Sequence, residues 1–312
     1  MTLVAQAEKP AATAARSFIG IAPRAEAVVI PICALLAGFA LFSIFLLMVG
    51  KSPVTFYQLV WKAGFSSAFS WQNTLSRVAP LVLAALCVAL PARLGLVVIG
   101  GEGAIVLGGL AAAVAGTAVA GMPAAFGMAT MAIAAMIVGG VWIGAVGALR
   151  IKRGVNETIA SLLMAYIAIA LLNHFVEGPF RDPASLNKPS TVPLTESLRV
   201  GDMPFLPSHW GILAGVLACL FAWVLIERTT LGFAARIAGD NVRAAQVQGL
   251  PVGRLVIGFT ALGGAFAGLA GYFEVAAVHG SANASLIAGY GYTGILIAFL
   301  ARHNPSAILP VA

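Results

Sequence analysis

Acidic side chains inside long apolar runs are the residues of this sequence that could act on a solute. Glu102 stands among Gly100, Gly101 and Gly103, and Glu274 lies near the end of another apolar run. An ionisable residue at membrane depth usually faces a cavity or the interior of a helix bundle. Glu102 and Glu274, with the flanking Gly101 and Gly103, are therefore candidates for lining a path for a polar solute.

Two interpretations of Glu102 are open. Glycine lets a helix unwind, and a broken helix with exposed backbone dipoles commonly builds a solute site. Alternatively, the carboxylate only bonds neighbouring backbone groups and fixes the break, because irregular backbone in a membrane needs polar partners. A second glycine-rich break, at residues 289–294, follows Glu274. Corresponding breaks in the two halves predict an internal repeat with the solute path between the halves.

Small residues four apart near Glu274 favour close packing of helices. Gly264 and Gly268 have this spacing, which lets helix backbones approach each other in lipid. For Glu274 itself the two alternatives are a place in the solute path and a purely structural role at the end of the run. Asn173, on the outer part of an earlier apolar run, is expected to bond across the bundle and is the last candidate for the path.

Catalytic and metal-binding patterns do not stand out in the sequence. It has no Ser/His/Asp or Cys/His arrangement and no phosphate loop of the GxxxxGK[ST] kind. The three cysteines lie in apolar runs without metal-ligand spacing, and the histidines at 209, 279 and 303 are isolated. We therefore expect no catalytic residues, no metal site and no enzymatic activity, and an intramembrane enzyme is disfavoured.

The composition places the chain in a membrane. Of its 312 residues, 60% are hydrophobic and 9% are charged, whereas roughly a quarter are charged in soluble domains. A helix crosses a bilayer with about 20 apolar residues, so the chain has enough for roughly eight crossings. Soluble enzymes, coiled coils and disordered chains are excluded. The net charge of +7 suggests orientation in a membrane rather than nucleic acid binding.

The apolar runs predict an all-α, polytopic membrane helical bundle with about eight spans and broken or re-entrant segments near Gly101 and Gly291. Residues 1–27 are too polar to span and predict a cytoplasmic tail, which leaves 28–312 as a single transmembrane domain. An aromatic-rich stretch at 52–74 is typical of a membrane interface. Further spans are expected at 28–50, 75–93, on both sides of a turn at 121–123, at 158–176, 210–226 and 255–278.

The distribution of basic residues predicts the orientation. With the tail inside, twelve Lys and Arg fall on the cytoplasmic side and six outside. Basic residues collect in cytoplasmic loops, so we expect a multi-pass membrane protein with a cytoplasmic N-terminus.

The polar segment 227–254, between two of the expected spans, predicts a short cytoplasmic helix. Asp240 or Asn241 is expected to cap it with the help of Gln246, and Gly249 with Pro251 ends it. Such a helix would suit docking of a soluble partner. An ordinary solvated loop is the alternative.

These motifs resemble those of the membrane permease subunits of bacterial ABC importers for ribose-like sugars, nucleosides and branched-chain amino acids. The similarity runs from about Pro53 onward. Residues 99–104 keep the Gly-x-Glu-Gly core of the family motif N-I-G-x-E-G-Q, with Val98 and Ala104 in place of its two amides. The family pattern R-A-x-G-x-N-x-x-A-A-x-x-x-G is matched, apart from Ile237, by Arg236, Gly239, Asn241, Ala244, Ala245 and Gly249.

The resemblance implies that residues 236–249, Asp240 among them, form the loop that couples the permease to ATPase subunits. It also implies a location in the bacterial inner membrane, a second permease subunit, identical or sister, and an external solute-binding lipoprotein. ATP would bind the partner subunit, and the permease would have no cofactor of its own. The residues at 155–159, 178–183 and 289–295 look most like the nucleoside subgroup.

Two further expectations follow. Family members usually continue past the turn at Asn304 and Pro305, so a chain ending at Ala312 is expected to be shortened or incomplete. The alternative function is a secondary transporter driven by an ion gradient, which would also use broken helices and intramembrane acids.

Overall fold

The computed structural model describes residues 23–204 and 208–312. Within them, residues up to Ser66 and residues from Ser67 onward form two compact units, each described here by itself. Residues 1–22 of the predicted cytoplasmic tail lie outside the described part of the chain. The first helix, α1, begins at Pro23 and ends at Met48, so it starts before the span that the sequence predicts.

The first unit consists of α1 and a shorter helix, α2 (Pro53–Phe65), bent by 118° relative to each other. Ser52 caps α2 by accepting a bond from the Thr55 amide, and a proline follows it where the missing amide costs nothing. The Tyr57 hydroxyl donates to the Phe39 carbonyl at 2.9 Å, and the two rings meet edge to face. In this unit the predicted aromatic segment at 52–74 therefore forms a helix that ends at Phe65.

The second unit contains ten α-helices in the described residues. They are α3 (Ala68–Ala92), α4 (Gly101–Ala118), α5 (Ala124–Arg153), α6 (Glu157–Glu177), α7 (Gly211–Arg228), α8 (Thr230–Asp240), α9 (Val242–Val247), α10 (Val252–Phe273), α11 (Tyr290–Leu300) and α12 (Pro305–Val311).

Six helices of the described chain are long and apolar enough to cross a membrane. The number rises to eight when each of two bent pairs, α1 with α2 and residues 284–300 with α12, counts as one span. The predicted all-α, polytopic bundle is therefore confirmed, and so is the turn near Gly121, which separates α4 from α5.

The start of α3 corrects one prediction. We expect a span from residue 75, but the helix begins at Ala68, where Ser67 accepts a bond from the Ser70 amide at 3.1 Å. The polar residues of this first part mark the limit of the apolar run, not the limit of the helix. A capped helix can extend past the hydrocarbon layer, because its backbone groups are bonded within it.

Helix α10 is the central element of the second unit and packs closely on α5. A Cβ on Gly264 would clash with the Gly139 carbonyl and lie 2.7 Å from the Cβ of Ile143. The packing role predicted for the small residues of α10 is confirmed. Buried side chains of α3 and α4, such as Leu83, Leu86 and Ile105, fill the core beside this contact.

Candidate functional site

Glu102 joins the two glycine-rich breaks of the chain. It lies in the first turn of α4, and its side chain is fully buried. Its Oε1 accepts a bond from the Gly289 amide and its Oε2 one from the Gly291 amide, both at 2.7 Å. These amides belong to the N-terminus of α11, where unbonded N–H groups and the helix dipole favour a negative charge. The carboxylate thus caps α11 from another helix.

Glycine is required at both bonded positions. Gly289 has φ +80°, a left-handed conformation that glycine adopts without strain. A Cβ on Gly291 would clash with the backbone nitrogen of Glu102 and lie 2.6 Å from its Cα. The breaks near 101 and 291 are therefore in direct contact. An internal repeat that relates them stays a prediction.

Glu274 lies where α10 changes its winding. Residues Glu274–His279 form a wider π-helical turn, a feature frequently found at functional sites. The Glu274 side chain is 2% exposed, and its Oε2 is 3.4 Å from Nε2 of His279. The Tyr290 side chain also lies beside Glu274. A buried carboxylate beside an imidazole and a phenol can accept hydrogen bonds and exchange one partner for another.

A polar cavity of about 210 Å³ opens beside Glu274. One wall is a face of α3, whose residues 73, 76 and 77 follow the spacing that puts side chains on one side of a helix. The π-helical turn and the start of α11 form the rest. The lining residues are Asn73, Ser76, Arg77, Glu274, Val278, His279, Ser285, Ala288 and Tyr290.

The cavity offers both hydrogen-bond acceptors and donors. Glu274 is a buried acceptor, while Arg77, exposed at its lining, carries only donors. Sequence reasoning finds Glu274 but misses Arg77, His279 and Tyr290. The polar spacing of residues 73, 76 and 77 was an available signal, since it marks one helix face.

The proline-rich segment before α7 is fastened to the π-helical turn and the residues after it. The amides of Thr191, Leu194 and Val200 donate to the carbonyls of residues 282, 280 and 276, at 2.9, 2.8 and 2.9 Å. Lys188 Nζ donates to Ser285 Oγ at 2.7 Å. The predicted polar loop is therefore also a wall that holds the cavity-lining chain in place.

His209 links this loop to α3 and α7. The side chain is 3% exposed. Its Nδ1 accepts a bond from the Gly211 amide at 3.1 Å, so Nε2 carries the proton and donates to the Ser76 carbonyl, also at 3.1 Å. Burial lowers the pKa of His209, although the bond to Ser76 and the charges of Glu274 and Asp202 oppose this effect. The neutral imidazole is the form that can make both hydrogen bonds, because one ring nitrogen accepts and the other donates.

The remaining path candidates lie elsewhere. Gly101 packs against α3, where an added Cβ would be 3.6 Å from Sγ of Cys87, and Gly103 packs against α6, where it would be 2.8 Å from Cα of Ala165. Asn173 is half-buried near the end of α6. None of the three lines the cavity beside Glu274.

The predicted coupling segment contains α8 and α9. Asn241 separates them, and its Oδ1 accepts a bond from the Ala244 amide at 3.0 Å. The prediction that Gln246 takes part in this cap is therefore wrong, because the capping side chain bonds the amide three residues after it, which is that of Ala244. Arg236 pairs with Glu227 at 3.0 Å on the surface. Gly249, with φ +77°, follows the end of α9 as predicted.

Part of the coupling segment faces away from the bundle. Asp240, Asn241, Ala244 and Gly249 are exposed, whereas Ala245 is buried. Sequence reasoning misses Val247, which is apolar and 88% exposed. A large exposed apolar side chain on a polar segment is typical of a contact surface.

No cluster of three or more His, Cys, Asp or Glu side chains that could hold a metal occurs in residues 23–204 and 208–312.

Comparisons with known proteins agree with this geometry. The family model described as "Branched-chain amino acid transport system / permease component" matches residues 70–312. The glucose ABC transporter permease protein TsgB13 of Haloferax volcanii is 35% identical, over 88% of this chain and 74% of its own length. The guanosine ABC transporter permease protein NupP of Bacillus subtilis is 30% identical, over 93% of this chain and 84% of its own.

A third relative is more distant. The nucleoside ABC transporter permease protein NupB of Lactococcus lactis is 25% identical, over 90% of this chain and 80% of its own length. No solved structure matches the sequence.

Proposed function

Because the chain belongs to the permease family of branched-chain amino acid transport systems, and is the membrane-spanning permease subunit of an ABC importer, we propose that it imports a nucleoside. The observation that carries the proposal is the polar cavity beside Glu274, which α3, the π-helical turn and the start of α11 line. Glu274 would lie on the solute path. Glu102 would fix the helix break next to it without touching the solute.

The occupied N-terminus of α11 supports an uncharged solute. In transporters with broken helices, such a positive helix end often binds an anionic group of the substrate. Here both amides already bond the carboxylate of Glu102. The carboxylate of an amino acid or the phosphate of a nucleotide would have to displace it. Guanosine, nucleosides and glucose, named for the relatives, are uncharged and rich in hydroxyl groups, which suit the acceptor Glu274.

Nucleosides are favoured over sugars by the residues at 155–159, 178–183 and 289–295, which resemble the nucleoside subgroup. The cavity also contains an aromatic ring, Tyr290, as well as polar groups. A planar base with an attached sugar uses both kinds of contact, whereas a free sugar uses mainly the polar ones.

ATP hydrolysis would take place on separate subunits, so the permease would be no enzyme and hold no cofactor. The exposed face of residues 236–249 would seat on those ATPase subunits, in the cytoplasm together with the N-terminus. A second permease subunit, identical or sister, and an external solute-binding lipoprotein would complete the importer. The excess of basic residues in the predicted cytoplasmic loops supports this orientation.

The test is uptake by the assembled importer in proteoliposomes. With ATP inside and the binding protein outside, we expect accumulation of radiolabelled guanosine, with little uptake of leucine or guanosine monophosphate. A protonophore should not change it. Uptake that continues without ATP but stops when the proton gradient is removed would instead establish the secondary transporter. Preferential uptake of leucine would contradict the nucleoside proposal.

A further inference from the structure

Tyr290 lies between the two amides that Glu102 binds. The Gly289 and Gly291 amides donate to separate oxygens of the same carboxylate at 2.7 Å. Bonds on both sides of one residue restrict its backbone, and therefore the direction of its Cα–Cβ bond. Glu102 is fully buried, so these charge-assisted bonds act away from water, where they are strong.

The Tyr290 side chain reaches the cavity. It lines the cavity wall together with Ser285, Ala288 and Glu274. A tyrosine has an apolar ring face and a polar hydroxyl, so it can contact the flat surface of a planar ring and keep a hydrogen bond. Glu102 thus restrains the backbone of Tyr290, and the side chain of Tyr290 shares the cavity lining with the second buried acid, Glu274.

We propose that Tyr290 contacts the transported solute and that Glu102 is the positioning residue that sets its place. This inference rests on the proposed function, because it names how the same cavity recognises a nucleoside. The base lies against the ring of Tyr290, and hydroxyl groups of the sugar bond Glu274. Glu102 does not touch the solute and acts through the Gly289 and Gly291 amides.

The roles of the two residues make different predictions for binding. Loss of the ring removes a base contact, whereas loss of one bond from Glu102 only misplaces the ring. The change at Glu102 should therefore matter only while the ring is present. A double-mutant cycle detects this dependence, because independent structural defects add whereas linked ones do not.

The experiment measures guanosine and ribose binding by equilibrium dialysis. It uses the full permease with its ATPase subunits in nanodiscs, without the external binding protein, so that binding occurs at the permease. Ribose lacks the base and reports the sugar contacts alone. The variants are Tyr290→Leu, Tyr290→Phe, Glu102→Gln and the double variant Glu102→Gln with Tyr290→Leu.

Glu157→Gln is the matched control. Glu157 is also a buried acid in the first turn of a helix, where it pairs with Arg150 at 3.4 Å, but it does not line the cavity. If Glu102→Gln does not accumulate, Glu102→Asp replaces it, since the shorter side chain can still reach one amide.

We expect Tyr290→Leu to weaken guanosine binding at least about 5-fold, from the usual contribution of stacking between an aromatic side chain and a base. Ribose binding should change less. Tyr290→Phe should keep most of the affinity for guanosine. Glu102→Gln should weaken guanosine binding in the native background and have no further effect in Tyr290→Leu. Glu157→Gln should bind guanosine as the native protein does.

Several results would overturn the inference. Unchanged guanosine binding in Tyr290→Leu excludes the contact, and additive losses in the double variant exclude positioning by Glu102. A native complex that imports guanosine but shows no binding at the permease also contradicts it. These outcomes leave the proposed function intact, whereas a native complex without ATP-driven guanosine uptake contradicts that function first.

Discussion

Glu102 and Gly291 come from breaks far apart in the sequence and are in direct contact. Oε2 of Glu102 accepts the Gly291 amide at 2.7 Å, and the Cα of Gly291 approaches the Glu102 backbone so closely that a Cβ would clash with its nitrogen. The acid and the glycine therefore serve the same contact. One supplies the acceptor, and the other supplies the space.

Replacing Gly291 by alanine should break this contact. The added methyl group would meet backbone atoms, which cannot rotate away as the atoms of a flexible side chain can. We expect a loss of about 1–3 kcal/mol in the free energy of unfolding, measured as a lower melting temperature of the purified permease. Gly258→Ala in α10, where an added Cβ meets open space, is the control and should be at least as stable as the native protein, because alanine favours the helix. A Gly291→Ala protein as stable as this control would contradict the contact.

Gly264→Ala should separate α10 from α5. The new Cβ would clash with the Gly139 carbonyl and lie 2.7 Å from the Cβ of Ile143. Overpacking of this kind typically costs about 1–3 kcal/mol. Thermal unfolding followed by fluorescence should show the loss. Because Gly258 lies in the same helix, Gly258→Ala again isolates the steric effect from helix propensity, and equal stability of the two variants would refute the tight crossing.

Acid should destabilise the packing around His209. Burial lowers the pKa of this imidazole, so below the ordinary histidine value of about 6.5 the unfolded chain takes up a proton before the folded one does. The stabilisation is fully present above that pH and is lost as the pH falls through the folded-state pKa. His209→Asn, which keeps an acceptor without titrating, should have a melting temperature that falls less between pH 7 and 5. Identical pH profiles would contradict this assignment.

Val247→Asp should weaken the attachment of the ATPase subunits. The side chain is 88% exposed in the proposed coupling segment, and a charge at an apolar contact is costly. We expect about a 10-fold loss of affinity in co-purification titrations, the size of a typical hot-spot change. Leu186→Asp, at an apolar residue that is 82% exposed in the proline-rich segment before α7, is the matched control. Equal binding by both variants would place the ATPase contact elsewhere.

Arg236→Ala combined with Asp240→Ala tests the same segment from its polar side. The change removes the surface pair between Arg236 and Glu227 and an exposed acid at the end of α8. Exposed pairs contribute at most about 1 kcal/mol, so the permease itself should keep its stability. ATP-driven uptake should fall while folding is unchanged. Unaltered ATPase association and uptake would show that these two residues are not part of the coupling surface.

Local pattern in the sequence was enough for the helices and for their membrane setting. The lengths of the apolar runs, the turn near Gly121 and the cap at Asn241 depend on residues that are close together in the chain, so the sequence alone predicts them. The start of α3 was missed because the sequence marks where apolar residues begin, whereas a capped helix continues through polar ones. The π-helical turn at Glu274 was missed for a similar reason, because no local residue pattern predicts a change of helical winding there.

The sequence by itself determined that Glu102 and Glu274 are costly acids in apolar surroundings, and that glycine breaks lie beside them. Only the tertiary structure decided their partners. Glu102 bonds amides almost two hundred positions along the chain, and Glu274 shares a cavity with residues of α3. A buried charge must find partners, and this requirement is readable from its surroundings. Which groups satisfy it depends on how the helices pack, and that is fixed only when the whole bundle has formed.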